Sequence, residues 1–230
     1  MRARAVGFPG VGRRLRGHLA LPDGDGPFPG VVVIHEAFGL NDNIREIAER
    51  FAGQGYAALA VDLFAGSNRG ICMARFMAGM FGLSGRQFGI PDLQASLDYL
   101  SGWDEVDAAR VGAIGFCLGG GLALAWARGD ERLCAIAPFY GMSPRPVEAL
   151  SRLCPVVGSY PEKDFTARSA RKLERVLEEG GVAHDIKIYP GARHSFFNDR
   201  GRVYDAAASE DAWSRVLAFF EEYVRSRAPA

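Results

Sequence analysis

Short apolar runs alternate with stretches of helical period along this chain. Arg16-Gly-His-Leu-Ala-Leu21 alternates like an early, partly exposed strand and stops at Pro22-Asp23-Gly24. Gly30 to His35, preceded by Pro29, is a short β-branched run that reads as a buried strand. From Asn43 to Ala52 the period becomes helical, with Ile44, Ile47, Ala48 and Phe51 on one face. Tyr56 to Val61 predicts the next strand, closed by Asp62. Pro91-Asp92 opens a helix to about Leu100, with Leu93, Leu97 and Leu100 inward. Val111 to Phe116 reads as another buried strand, and a helix over Leu118 to Arg128 begins almost at once. Leu133 to Phe139 and Pro155 to Tyr160 predict two more strands. Ala167 to Glu179 is an amphipathic helix ended by Gly180-Gly181. His184 to Tyr189 alternates as a strand, and Asp205 to Arg225 is the closing helix. Strands alternating with helices predict an α/β fold built on a mainly parallel sheet. Residues 63–90, rich in Gly and Met, break the pattern and read as a lid or pocket-lining excursion, with core packing under a lid as the alternative for 73–81.

The chain's 230 residues, 48% hydrophobic and 23% charged, suit a single domain spanning 1–230. Lys+Arg and Asp+Glu stand at 27 each, so charge gives no argument for nucleic acid or an anionic membrane as partner. No apolar run approaches the ~20 residues that span a bilayer. Arg2, Arg4, Arg13, Arg14 and Arg16 precede no apolar segment of the secretory kind, so a cytoplasmic setting is expected. Cys72, Cys117, Cys134 and Cys154 form no C-x-x-C pair, and no H-E-x-x-H occurs, so neither a metal nor a cofactor is expected. The expected partner is a small molecule, and the chain is expected to act as a monomer or small homo-oligomer.

Gly115-Phe-Cys-Leu-Gly-Gly-Gly121 lies between a predicted strand and a predicted helix. That is the context of the G-x-S-x-G nucleophile elbow, with cysteine in place of serine. A nucleophile there sits on a tight turn, and glycines two residues either side remove side chains that would collide across it. The following helix aims its free N–H groups and positive end at the nucleophile. A thiol in that position is a candidate activated nucleophile. The alternative is a Gly-rich helix start with a small cysteine as packing.

In such folds the triad runs nucleophile, acid, histidine along the chain. Of the histidines after Cys117, His184 opens a strand, whereas His194 lies in a loop between the last strand and last helix. Asp164 follows the strand Pro155–Tyr160, in the loop where the acid belongs; Glu162 and Asp185 are its rivals. Glu36, in His35-Glu-Ala-Phe-Gly39, follows another strand and so sits on the same sheet edge.

Taken together, His-Glu-Ala-Phe-Gly-Leu-Asn at 35–41, Gly-Phe-Cys-Leu-Gly-Gly-Gly at 115–121, Glu-Lys-Asp at 162–164 and His-Ser-Phe-Phe-Asn-Asp at 194–199 resemble the dienelactone hydrolase family. The resemblance runs from about residue 15 to 225. It implies an α/β-hydrolase fold with helices on both sheet faces and a Cys117–His194–Asp164 triad. It further implies that Glu36 interacts with the resting thiol, and that the N–H groups of Leu118 and Ala37 form the oxyanion hole. The implied reaction opens 4-carboxymethylenebut-2-en-4-olide to maleylacetate through a thioester. Family members grip the substrate carboxylate with arginines. Here Arg75, or alternatively Arg86, and Arg200 stand in the comparable segments, with Phe38 and Ser195 as further substrate contacts. Arg200 comes later than expected and follows an acid. If it faces solvent, the substrate lacks that carboxylate and the Met- and Phe-rich stretch 73–81 lines a more apolar pocket. Competing readings are a carboxylesterase, thioesterase or acyltransferase on a more apolar acyl substrate, or a binding module that keeps the fold without catalysis.

Overall fold

The alternating pattern folds into one eight-stranded sheet in the computed structural model, which describes residues 1–81 and 88–226. The strands are β1 (Arg2–Pro9), β2 (Arg14–Leu21), β3 (Phe28–Ile34), β4 (Ala57–Asp62), β5 (Val106–Phe116), β6 (Leu133–Phe139), β7 (Val156–Lys163) and β8 (His184–Arg193). Their order in the sheet is β1-β2-β4-β3-β5-β6-β7-β8. β2 runs antiparallel to β1 and β4, and all pairings from β4 onward are parallel. The helices are α1 (Asp42–Gly53), α2 (Arg69–Met80), α3 (Ile90–Ser101), α4 (Leu118–Ala127), α5 (Thr166–Glu179) and α6 (Ala206–Phe220).

The β-branched run of β3 is buried on both faces, as a central parallel strand must be. Val31 and Val33 pack with Ile44, Ile47 and Phe51 of α1 and Val216 and Phe220 of α6. Val32 and Ile34 pack on the opposite face with Leu93 and Leu97 of α3 and Leu122 of α4. Each fully buried aliphatic side chain of this kind contributes about 1.5–3 kcal/mol relative to exposure. The result is an α/β-hydrolase fold with helices on both sides of the sheet.

Two elements escaped the sequence pattern. β1 is an edge strand whose first four residues are exposed, so it shows no buried face to read. α2 lies inside the 63–90 segment, with Cys72, Phe76, Gly79 and Met80 buried along one face and Asn68 capping its first turn. That i, i+4, i+7, i+8 stripe was present in the sequence but was diluted by glycine and alanine. The parallel strands deliver their carboxyl ends to one edge, which gathers the segments after β3, β4, β5, β6, β7 and β8.

Candidate active site

Cys117 bridges β5 and α4 with φ 53° and ψ −110°, a strained conformation for a residue with a side chain. Its N–H donates to the Phe139 carbonyl at 3.0 Å, which pins the turn to β6. The elbow also depends on close approach of backbone. A methyl group at Gly119 would run into the Ile34 carbonyl oxygen and lie 2.8 Å from that of His35. Glycine therefore lets the start of α4 lie against the end of β3. Leu118 is the first residue of α4, so its N–H has no acceptor within the helix. Ala37 lies in the turn closed by the Gly39 N–H on the Glu36 carbonyl at 3.3 Å. Neither Leu118 nor Ala37 has its N–H engaged by another group among the described residues.

His194 follows β8 and Asp164 follows β7. Their side chains meet at 2.5 Å between Nδ1 and Oδ2. The Thr166 hydroxyl donates to the same carboxylate oxygen at 2.8 Å. Asp164 is 4% exposed and His194 31%, so the acid is enclosed while the imidazole opens to the site. Burial pulls the imidazole's pKa down. The hydrogen bond and charge of Cys117, followed by those of Asp164, outweigh it and raise the value to about 9. On its outer side the ring of Phe165, 66% exposed, stacks on His194 with centroids 5.8 Å apart.

Glu36 is buried, and its hydrogen bonds depart from the expected contact with the thiol. Ser195 Oγ donates to Oε1 at 2.8 Å and Asn198 Nδ2 to Oε2 at 3.4 Å. The buried Tyr140 phenol also bonds Glu36; burial first, then the charge of Glu36, holds it well above its ordinary pKa. Ser195 sits at φ 63° and Tyr140 at φ 39°. Among the described residues, Cys117, Tyr140 and Ser195 are the non-glycine residues with positive φ, and all three border this site. The imidazole of His35, fully buried, braces the same loop. Its Nε2 accepts from the Leu63 N–H at 3.0 Å, so Nδ1 carries the proton donated to the Glu36 carbonyl at 2.6 Å. Burial lowers its pKa, consistent with a neutral ring.

The structure brings Cys117, His194, Asp164, Glu36, Ala37 and Leu118 to one edge. Ser195 is there too, but donating to Glu36. Phe38 is 61% exposed beside the site, with the Arg69 guanidinium 5.4 Å from its ring centroid. Arg200 is placed otherwise: it pairs with Glu46, and with Asp42 at 3.6 Å, on the outer side of α1. Asp42 and Glu46, one helical turn apart on α1, present both carboxylates to it. Arg75 lies on the exposed side of α2, and Arg86 falls outside the described residues. The rivals are engaged elsewhere: Glu162 accepts from the Gly191 N–H, Asp185 pairs with Arg215, and His184 bonds the Val182 carbonyl. Tyr140, Phe165 and Asn198 escaped the sequence reading, although each follows a strand end that the pattern located. No group of three His, Cys, Asp or Glu among the described residues is arranged to hold a metal ion. No helix there is long and apolar enough to cross a membrane.

The family model described as "Dienelactone hydrolase family" matches residues 15–224. A Saccharolobus solfataricus protein named "Putative carboxymethylenebutenolidase" is 32% identical, over 90% of this chain and 94% of its own. A solved dienelactone hydrolase-like promiscuous phosphotriesterase from metagenomic libraries is 30% identical with TM-score 0.83, covering 96% of this chain and 98% of its own. A Klebsiella pneumoniae structure titled as a putative dienelactone hydrolase is 27% identical with TM-score 0.84, covering 97% and 100%.

Proposed function

The chain belongs to the dienelactone hydrolase family, and on that premise we propose that it hydrolyses small lactones and activated esters through a thioester on Cys117. One observation carries the reading. An imidazole tied to a buried carboxylate at 2.5 Å stands on the sheet edge that carries the elbow sulfur, and Cys117 and Asp164 together raise its pKa to about 9. Nucleophile, base and orienting acid then form one chain of contacts.

The thiolate of Cys117 attacks the carbonyl carbon and forms a C–S bond. The Leu118 and Ala37 N–H groups hold the oxyanion. As the C–O bond breaks, protonated His194 gives its proton to the departing alkoxide or enolate. Neutral His194 next takes a proton from water, which attacks the thioester, and the sulfur leaves with its electron pair. Asp164 holds the imidazole with Nδ1 protonated and stabilises its charged form. Sulfur is a good leaving group, so the cycle suits lactones and aryl esters better than amides. The exposed rings of Phe38 and Phe165 beside the site support an unsaturated or aromatic substrate.

Acid quenching during turnover of a dienelactone or aryl ester, followed by mass spectrometry, tests the reading. The expected result is acyl mass on the peptide containing Cys117, with turnover abolished in Cys117→Ala. Acyl mass elsewhere, or undiminished turnover in that variant, overturns it.

A further inference from the structure

Phe165 has two neighbourhoods. One face of its ring stacks on His194, and the side chain also lines a cavity of about 710 Å³ between the segment after β6 and the start of α5. That volume falls among sites that enclose ligands of drug size, more than a single lactone ring fills. Phe81 and Met142 give it apolar wall. Three cations and one acid border it: Arg145, Arg168, Lys172 and Glu148. Lys172 is answered by Glu148 at 3.3 Å. Arg145 and Arg168 form no ion pair among the described residues. The Arg145 guanidinium rests over the Phe81 ring at 5.4 Å, and its backbone N–H is anchored on the Met80 carbonyl at 3.2 Å. Two uncompensated guanidiniums on one concave, partly apolar wall are suited to an anion carried on an organic chain.

We propose that this cavity is a second substrate compartment, which holds a terminal carboxylate or phosphate of an ester whose scissile carbonyl lies at Cys117. The inference rests on the cysteine reading above for the position of that carbonyl. Phe165 borders both the cavity and His194, so an anion in the cavity lies at the far end of a chain and not beside the reacting bond. Anion recognition thereby falls to Arg145 and Arg168. Arg200, the residue expected for it, is already paired on α1.

Three p-nitrophenyl esters of matched acyl length test the proposal, ending in methyl, carboxylate or phosphate. In the wild-type enzyme at low salt, kcat/KM for a charged ester exceeds that of the methyl-ended one by about tenfold or more. The double variant Arg145→Ala/Arg168→Ala loses that ratio, chiefly through KM. The carboxylate and phosphate arms identify which terminus the compartment takes. No preference for either over methyl, or a ratio that survives the double variant, overturns the proposal. Binding gives a reading independent of turnover. The uncleaved anilide of the carboxylate-ended acid, titrated by calorimetry into Cys117→Ala protein, binds about tenfold more weakly when both arginines are also replaced. Equal binding sinks the compartment alone. Turnover that persists in Cys117→Ala sinks the cysteine reading alone.

Discussion

Ser195 Oγ donates to the Glu36 carboxylate at 2.8 Å and so joins the loop after β8 to the loop after β3. These loops carry His194 and Ala37. The bond is charge-assisted and partly enclosed, the class worth about 1.5–3 kcal/mol. On the proposed mechanism, it holds base and oxyanion donor in one frame.

Removing the hydroxyl tests that frame. Ser195→Ala and Ser195→Gly are both expected to lower kcat by about tenfold or more, with Cys117 still alkylated by iodoacetamide. They differ in stability. Ser195 sits at φ 63°, where glycine is free of the ~1–2 kcal/mol strain that a side chain brings. The glycine variant therefore melts above the alanine variant in a thermal scan. Full activity in both would show the bond to be incidental.

The imidazolium of His194 is held up by the sulfur. Its titration, followed by NMR of the ring proton, is expected near pH 9. In Cys117→Ala the midpoint falls, because burial still opposes the charge while only Asp164 supports it. The folded value lies above the ordinary 6.5. Protonation thus adds stability that is complete below about pH 6.5 and lost as pH rises through about 9. The stability gap between wild type and His194→Asn narrows across that interval. A midpoint that does not move in Cys117→Ala would separate the two residues.

Gly119→Ala sets a methyl against the carbonyl oxygens of Ile34 and His35. Backbone cannot yield there without moving β3 or the elbow, so a loss of about 3 kcal/mol or failure to fold is expected. Gly53→Ala is the contrast. Its methyl meets nothing within 4 Å at the exposed end of α1, and a gain of up to about 1 kcal/mol is expected. Urea denaturation of both variants measures the difference.

His35→Phe keeps a ring but removes both nitrogens. It strands the Leu63 N–H and one acceptor site on the Glu36 carbonyl in a fully buried setting. About 2 kcal/mol or more of stability is expected to be lost. The kcat falls with it, since the Glu36–Gly39 turn presents the Ala37 N–H. Stability equal to wild type in urea would mean that the ring is filler.

The strands and helices were legible wherever a buried face repeats with a clean period. β3, β4 and α1 are such cases, and each lies within a residue or two of its expected bounds. β5 begins earlier, at Val106, because its first residues pair with β3 while facing partly outward. β8 runs on to Arg193 past a proline and a glycine that a pattern reads as a stop. α2 was hidden because small residues carry little periodic signal.

Within the site, the sequence alone located Cys117 on its elbow and ordered an acid and a histidine behind it. Those features depend on backbone sterics and on strand order, which are local and directional. Tertiary structure alone decided the partners. Glu36 bonds a serine 159 positions away, Arg200 turns to α1, and Arg145 and Arg168 form no ion pair among the described residues. The reason is physical: a side chain's hydrogen-bond and ion-pair partners are set by where distant loops pass one another. That path is fixed by packing of the whole sheet and its helices, not by any spacing along the chain.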